Sequence, residues 1–318
     1  LPTKKGEFVE ETFIVNKRSP RISAKESVKV KDREKSKLDW DDRLTIEING
    51  DAPVCESIHV EAADPATPTI FLCGNSTVVD QENEPWASWG QMLPRFLTDK
   101  ISVANHAESG LSANTFISGN RLKKIMSQIK KGDYVFVEFG HNDQKQKGPG
   151  KGAYYSFMTS LKTFIDQIQE KGGQPVLVTP TRRRKFDKEG RTVNTHGEYP
   201  DAVRWIAAKE NVPLIELNNM TGTLYEALGE SGSKKAFVHY PMGSFPGQKK
   251  ELADNTHFNP YGAYQIAKCV IEGMKKATPE LTKYLKTDTS YAPAKPDNVD
   301  SFHWCPAPFC EMEKPDGN

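Results

Sequence analysis

The sequence predicts an α/β fold, a flavodoxin-like three-layer sandwich with a central parallel sheet, preceded by a small β-structured N-terminal domain. From Thr67 onward, apolar runs of strand length alternate with segments whose apolar residues recur at helical spacing. Upstream, short runs alternate apolar and polar residues with period two. We therefore expect a β-rich module at 1–66, a larger domain at 67–285 and a Pro-rich irregular tail at 286–318.

The period-two pattern of the first segment is clearest at Leu44, Ile46 and Ile48, and it recurs at Ile58 and Val60. Such alternation is typical of antiparallel strands that bury one face. The segment therefore predicts part of a small β-sandwich. Because so few strands form only a small sandwich, we expect this segment to pack against the larger domain.

The larger domain carries five strand candidates, at 69–73, 102–105, 134–139, 175–178 and 214–217. Helices are predicted between and after them, where apolar residues recur at i, i+3, i+4 and i+7: around 122–129, 157–168 and 263–274. In open parallel sheets, ligands bind beyond the carboxyl ends of the strands. Functional residues are therefore expected at that edge.

Three residue types needed for nucleophilic acyl transfer occur in order along this domain. Ser76 follows the first strand, and Asp254 and His257 stand three residues apart just before the last helix. A serine hydroxyl becomes a good nucleophile when a histidine takes its proton, and a carboxylate fixes the tautomer of that histidine. Taken alone, Ser76 also fits a turn or a helix cap. The pattern predicts a Ser76, Asp254, His257 triad.

Two further positions supply hydrogen-bond donors. Gly110 lies in a loop after the second strand, and Asn142 follows the third strand within Gly140-His141-Asn142-Asp143. Acyl transfer requires donors directed at the oxyanion of the tetrahedral intermediate. Taken alone, Gly110 also fits an ordinary turn glycine, and Asn142 also fits an Asx-turn. His141 belongs to the same block, but we interpret it as a structural residue outside the proton relay.

Together these blocks resemble the SGNH or GDSL hydrolase superfamily, and within it the rhamnogalacturonan acetylesterase-like branch, over roughly residues 67–280. The resemblance implies that 67–285 is an SGNH hydrolase domain. It implies a nucleophile, an acid and a base at Ser76, Asp254 and His257, and an oxyanion hole formed by Ser76, Gly110 and Asn142. The chain departs from the family at Asn75, where an aspartate is usual, so a charge at that position is lost while a hydrogen-bonding role can remain.

Substrate contacts are predicted at Arg183 and Arg184, which follow the fourth strand. Guanidinium groups bind carboxylates in bidentate fashion, as a uronate would require. The alternative is a solvated run of charge. Trp89, with Trp86, follows the nucleophile closely, and each fits either the core or a wall on which a sugar stacks.

Composition excludes several classes of protein. With 43 Lys and Arg against 42 Asp and Glu, the net charge of the chain is close to zero, so no overall electrostatic potential attracts nucleic acid. No apolar run approaches the length of a membrane span. No His-x-x-x-His or Cys-x-x-Cys spacing occurs, so we predict neither a metal nor another cofactor. The oligomeric state is not predicted.

The cysteines and the first residue bear on the compartment. Cys73 and Cys269 lie in apolar patterns and are expected to be buried, whereas Cys305 and Cys310 flank a short Pro-rich loop and are either bridged or free. The chain begins at Leu1 without a signal peptide, so we expect a processed or trimmed form. The family resemblance implies a polysaccharide substrate, and a polysaccharide cannot enter a cytoplasm. The expected location of the protein is therefore secreted or periplasmic.

The resemblance implies a serine esterase that removes acetyl groups from a plant cell-wall polysaccharide, rhamnogalacturonan-type pectin in particular. One alternative keeps the triad and changes the substrate to acetylxylan, another glycan or a lipid. A second, of another class, is a non-catalytic carbohydrate-binding protein in which Asn75 marks a decayed enzyme.

Overall fold

The computed structural model describes residues 3–40, 43–48, 52–287 and 290–306. Within them, the larger domain contains a parallel sheet of five strands in the order β2-β1-β3-β4-β5. The strands are β1 Thr69–Cys73, β2 Ser102–Asn105, β3 Tyr134–Glu138, β4 Gln174–Val178 and β5 Leu214–Ile215. Each lies where the sequence predicted a strand, although β5 ends at Ile215 and Leu217, predicted as its last residue, begins a helix. The order is the predicted flavodoxin-like one.

Helices cover both faces of this sheet. They are α1 Trp89–Met92, α2 Ala113–Ser118, α3 Arg121–Met126, α4 Met158–Glu170, α5 Tyr199–Lys209, α6 Leu217–Gly232 and α7 Pro260–Ala277. One core cluster joins Ile70 and Leu72 of β1 to α1, α6 and α7, and a second joins Phe71 and Cys73 to α2, α3, α4 and α5. Because successive side chains of a strand point to opposite faces, β1 contributes to both cores, and the three-layer sandwich follows.

A hairpin that the sequence did not reveal lies beside the sheet. Its strands, β6 Phe237–Tyr240 and β7 Leu252–Phe258, pair in antiparallel fashion. Strand β7 carries both Asp254 and His257, and most of its residues are polar or partly exposed. A strand with so few apolar residues does not show the alternation of apolar and polar residues by which a strand is predicted from sequence.

Helix α7 begins just after this hairpin, at a defined point. The side chain of Asn259 accepts a hydrogen bond from the N–H of Gly262 at 3.0 Å and so caps the helix. A Cβ atom at Gly262 would lie 1.8 Å from the carbonyl oxygen of Ala236. Glycine at this position therefore allows α7 to approach the backbone in front of β6.

The predicted β-structured module at 1–66 is wrong for the part that the structure describes. Residues 3–40, 43–48 and 52–66 form no strand there beyond a single bridge between Arg21 and Ser27. Leu44, Ile46 and Ile48 remain 45–50% exposed. Alternation indicates a strand only where a neighbouring strand completes the hydrogen bonds and covers the apolar face. Whether 1–66 folds as a separate domain stays a prediction.

Residues 18–40, here called the N-terminal arm, pack against the larger domain in irregular conformation with two short 3-10 turns, Asp32–Glu34 and Leu38–Trp40. Glu34 pairs with Arg121 of α3 at 2.5 Å, and both side chains are at most 1% exposed. The ring of Trp40 meets the ring of His106 edge-on, with 5.4 Å between centroids. The arm therefore lies against α3 and the residues that follow β2.

The described part of the C-terminal tail, 286–287 and 290–306, is irregular apart from a short 3-10 turn at Val299–Ser301. Phe302 packs against Tyr261 and Tyr264 of α7. The question of a Cys305–Cys310 bridge falls outside the described residues, because Cys310 is not among them. Among the described residues, no helix has the length and apolar character to cross a bilayer.

Candidate active site

The three residues predicted to form a triad meet at the carboxyl edge of the sheet. Ser76 lies in the turn after β1, and its Oγ is 2.8 Å from Nε2 of His257. The other ring nitrogen of His257, Nδ1, is 2.6 Å from Oδ2 of Asp254. This geometry has the nucleophile–base and base–carboxylate contacts that serine acyl transfer requires.

Asp254 is fixed by its own strand. Its Oδ1 accepts hydrogen bonds from the N–H groups of Thr256 and His257, at 2.7 and 2.9 Å. Partial burial acts to raise the pKa of Asp254, but hydrogen bonds from the ring and backbone of His257 outweigh it and lower the pKa to about 2. The ionised carboxylate therefore holds the Nδ1–H tautomer, which leaves Nε2 to accept the serine proton.

Gly110 follows β2 in a tight turn, in which the N–H of Leu111 donates to the carbonyl of Glu108 at 3.2 Å. Its φ of +79° is a conformation that favours glycine. Asn142 follows β3, and its Nδ2 donates to the carbonyl of Leu111 at 3.0 Å. Because a primary amide has two N–H donors, one remains for a ligand. The two predicted oxyanion donors thus lie on adjoining loops.

The Asn142 amide is held from its other side as well. Nζ of Lys145 donates to Oδ1 of Asn142 at 2.9 Å. This contact fixes which end of the amide carries the donors, since an ammonium group only donates. Asn142 therefore presents its N–H groups toward the loop that carries Gly110.

A buried carboxylate lies behind the nucleophile turn. Glu138, at the end of β3, is fully buried and accepts hydrogen bonds from Nε1 of Trp89 at 2.6 Å and from the N–H of Thr181 at 3.1 Å. Burial raises the pKa of Glu138 to about 7. Oδ1 of Asn75 accepts from the N–H of Thr77 at 3.1 Å, so the residue that replaces the usual aspartate keeps a hydrogen-bonding role.

Two of the three predicted substrate contacts are wrong. Trp89 is fully buried and bonded to Glu138, so its ring cannot stack on a sugar. Arg184 is 8% exposed, and its guanidinium donates to Ser233 and Asn255 at 3.0 Å. The arginine therefore supports the block that carries Asp254 and His257 and has no free face for a uronate.

Arg183, the third predicted contact, is half-buried near Asn142. Its guanidinium donates to the carbonyl of His141 and to Oγ1 of Thr195, both at 3.2 Å. Burial lowers the pKa of Arg183 from its usual value. Contact between Arg183 and substrate stays a prediction. His141 bonds to His196 through their ring nitrogens at 3.1 Å, which places both rings in a buried pair outside the triad.

Sequence reasoning missed a cleft of about 230 Å³ between the segment that follows Ser76 and the N-terminal arm. Gln81, Asn83 and Trp86 are among its lining residues, as are Arg33 and Lys37 of the arm. Nε2 of Gln81 donates to the backbone carbonyl of Ser76 at 2.9 Å, so the lining of the cleft is hydrogen-bonded to the turn that carries Ser76. The sequence indicated that either Trp86 or Trp89 could line a binding site, because both follow Ser76 closely. It did not show which of the two rings is exposed.

Residues 72–264 match the GDSL-like lipase/acylhydrolase family. The chain belongs to this family. It is therefore a carboxylic ester hydrolase, and the predicted family and the predicted α/β fold class of the larger domain are confirmed. Among the described residues, no group of three His, Cys, Asp or Glu side chains is placed to hold a metal ion.

Individual relatives agree with this assignment. Rhamnogalacturonan acetylesterase RhgT of Bacillus subtilis (strain 168) is 42% identical over 209 residues, which are 65% of this chain and 89% of that protein. The probable rhamnogalacturonan acetylesterase YesY of the same organism is 33% identical, over 67% of this chain and 95% of its own length. The crystal structure of Bacillus subtilis YxiM gives a TM-score of 0.58 at 27% identity, over 66% of this chain and 57% of that one.

Proposed function

We propose that this protein removes acetyl groups from rhamnogalacturonan-type pectin through an acetyl-serine intermediate. The observation that carries the proposal is the Ser76–His257–Asp254 chain of contacts, at 2.8 and 2.6 Å, in a chain 42% identical to a rhamnogalacturonan acetylesterase. A decayed, non-catalytic binding protein would have no reason to keep these contacts.

In the proposed mechanism, Nε2 of His257 takes the proton of Ser76 as Oγ attacks the acetyl carbonyl. The N–H groups of Ser76 and Gly110 and the side-chain amide of Asn142 stabilise the oxyanion. The protonated histidine then gives its proton to the sugar oxygen, which leaves as a hydroxyl group. Water attacks the acetyl-serine by the same route and releases acetate.

The lining of the cleft supports a carbohydrate over a lipid. Gln81, Asn83 and Trp86 offer amide groups and one aromatic ring. Sugars present hydroxyl groups at their edges and C–H groups on their faces, so this mixture suits them. An acyl chain requires a continuous apolar groove. We propose that Trp86, half-buried at this cleft, takes the stacking role predicted for Trp89.

The test is acetate release from acetylated rhamnogalacturonan, acetylated xylan and a p-nitrophenyl ester series, with Ser76→Ala as the inactive control. We expect the highest kcat/KM on rhamnogalacturonan and loss of all activity in the control. Preference for xylan or for long acyl chains would overturn the substrate, and activity in Ser76→Ala would overturn the mechanism.

Trp86→Ala tests the cleft separately. We expect a higher KM on the polysaccharide and little change on p-nitrophenyl acetate, which is too small to reach the ring. The control is Trp205→Ala, because Trp205 is 49% exposed on α5. Equal effects of the two variants on polysaccharide would remove Trp86 from the binding site.

Because the proposed substrate is a polymer, we also propose that the protein acts outside the cytoplasm. Fractionation of the native cells should recover the esterase from the periplasm or the medium. Recovery from the cytoplasm would contradict this location.

A further inference from the structure

We propose that Lys31 and Arg33 of the N-terminal arm are positioning residues for the oxyanion hole, which act by holding and polarising the peptide group between Ser109 and Gly110. The inference rests on the proposed function, since that proposal makes the Gly110 N–H an oxyanion donor. Lys31 and Arg33 lie outside residues 72–264, where the chain matches its family.

The contacts converge on one carbonyl oxygen. Nζ of Lys31 donates to the carbonyl of Ser109 at 2.5 Å, and a terminal guanidinium nitrogen of Arg33 donates to the same oxygen. A Cβ built at Gly110 would lie 3.4 Å from Nζ of Lys31, so the ammonium also sits beside the glycine. Two cations therefore contact the peptide unit that contains the Gly110 N–H.

This arrangement has two physical effects on the donor. In a trans peptide group, the C=O and N–H bonds point in opposite directions, so fixing the carbonyl fixes the N–H. Positive charge at the carbonyl oxygen also draws electron density from the nitrogen through amide resonance, which makes the N–H a stronger donor. Both effects favour a preorganised oxyanion hole, whose donors act without reorganisation during the reaction.

The cations themselves are fixed. Glu108, which is fully buried, accepts from Nε of Arg33 at 2.9 Å, and Lys37 lies 3.4 Å from the other carboxylate oxygen. Burial and, after it, the charge of Arg33 lower the pKa of Lys31, which indicates a partly desolvated ammonium. The buried Glu34–Arg121 pair holds the arm in place.

Lys35 provides a matched control. It is a lysine of the same arm, but its Nζ donates to Oδ1 of Asp32 at 2.7 Å and its side chain is 65% exposed. If loss of a positive charge from the arm is enough to lower activity, removing Lys35 and removing Lys31 should have similar effects. If the Ser109 carbonyl is the target, only Lys31 should affect catalysis.

The experiment compares Lys31→Met, Lys31→Arg and Lys35→Met in the full chain on p-nitrophenyl acetate. Active sites are titrated by the p-nitrophenol burst, so kcat refers to folded enzyme. Losing a whole oxyanion donor costs 10²–10³ in kcat, so weakening one should cost about tenfold. We expect that loss in Lys31→Met with KM unchanged, recovery to within about threefold in Lys31→Arg, and Lys35→Met within about twofold of wild type.

A transition-state analogue gives the second measurement. Phenylboronic acid forms a tetrahedral, anionic adduct with a serine hydroxyl, so its inhibition constant should rise in Lys31→Met by the same factor as kcat falls. An unchanged kcat and inhibition constant in Lys31→Met, or a loss only in the burst amplitude, would overturn the inference. Inactive Ser76→Ala, with no boronate binding, would leave the proposed function intact, and active Ser76→Ala would instead overturn the function itself.

Discussion

The side chain of Asn142, the proposed oxyanion donor, is held by two hydrogen bonds. One of its N–H groups is bonded to the carbonyl of Leu111, and its oxygen is bonded to Lys145. The remaining N–H is oriented by these two contacts before any substrate binds. The geometry therefore favours a donor that is directed in advance.

Asn142→Ala should lower kcat by about two to three decades and leave KM nearly unchanged, the effect of removing one oxyanion donor. Steady-state kinetics on p-nitrophenyl acetate measures it. Lys145→Met is the comparison, because it removes the contact that helps to orient the amide but keeps the amide donors, so its loss of kcat should be smaller than that of Asn142→Ala. A change mainly in KM would assign Asn142 to binding of the ground state.

The buried carboxyl group of Glu138 should make the stability of the protein depend on pH. Burial raises its pKa from 4.5 to about 7, so its favourable contribution is fully present below about pH 4.5 and is lost as the pH rises to about 7. A shift of this size corresponds to a few kcal/mol in the free energy of unfolding.

Urea unfolding at pH 5 and at pH 8 measures this contribution. The difference in midpoint between the two pH values should shrink in Glu138→Gln, which cannot ionise. An identical difference in wild type and Glu138→Gln would show that another group is responsible.

At the scale of elements, the position of His257 depends on the junction between β7 and α7. The second strand of the hairpin carries Asp254 and His257, and 12 of the 18 residues of α7 are buried. The closest approach in this region is that of Gly262 to the carbonyl of Ala236. The position of His257 therefore depends on a packing contact five residues away.

Gly262→Ala should destabilise the protein and reduce activity, because a Cβ at 1.8 Å from a carbonyl oxygen forces α7 away from the turn before β6. The loss of stability should reach roughly 1–3 kcal/mol or more. Thermal unfolding and kcat are the measurements.

Gly232→Ala is the comparison, since a Cβ there meets nothing within 4 Å. It should leave both quantities near wild type. If the two variants behave alike, close approach at Gly262 is not the constraint that fixes the junction.

At the scale of the whole molecule, the N-terminal arm is part of the structure that surrounds the site. Two of its carboxylates pair with cations of α3. The Glu34–Arg121 pair is buried, whereas the Glu26–Lys123 pair has side chains 44% and 52% exposed. The same arm therefore offers a buried and an exposed ion pair for comparison.

Glu34→Gln should cost about 3–5 kcal/mol in the free energy of unfolding, because it leaves the Arg121 guanidinium buried without its counter-charge. Glu26→Gln should cost about 0.5 kcal/mol, the usual value for an exposed pair. Urea unfolding compares the two. A similar small cost for both would mean that the arm separates from α3 without affecting the domain.

The sequence by itself determined the parallel sheet, because its strands are buried on both faces and appear as continuous apolar runs between turns. It also predicted that Ser76, Asp254 and His257 meet, because few residue types perform acyl transfer and their order along the chain is informative, and the structure brings the three side chains into contact. Gly110 and Asn142 were proposed as oxyanion donors for the same reason.

Only the tertiary structure decided which polar and aromatic side chains are accessible. Trp89 and Arg184 are residue types that are common in binding sites, but both side chains are buried. Trp89 is hydrogen-bonded to Glu138, and Arg184 is hydrogen-bonded to Asn255. The contact of Lys31 with Ser109 joins residues 78 positions apart, and the alternating pattern near Ile46 finds no partner strand in the described chain. Burial and pairing depend on distant parts of the chain, which local patterns of residues do not contain.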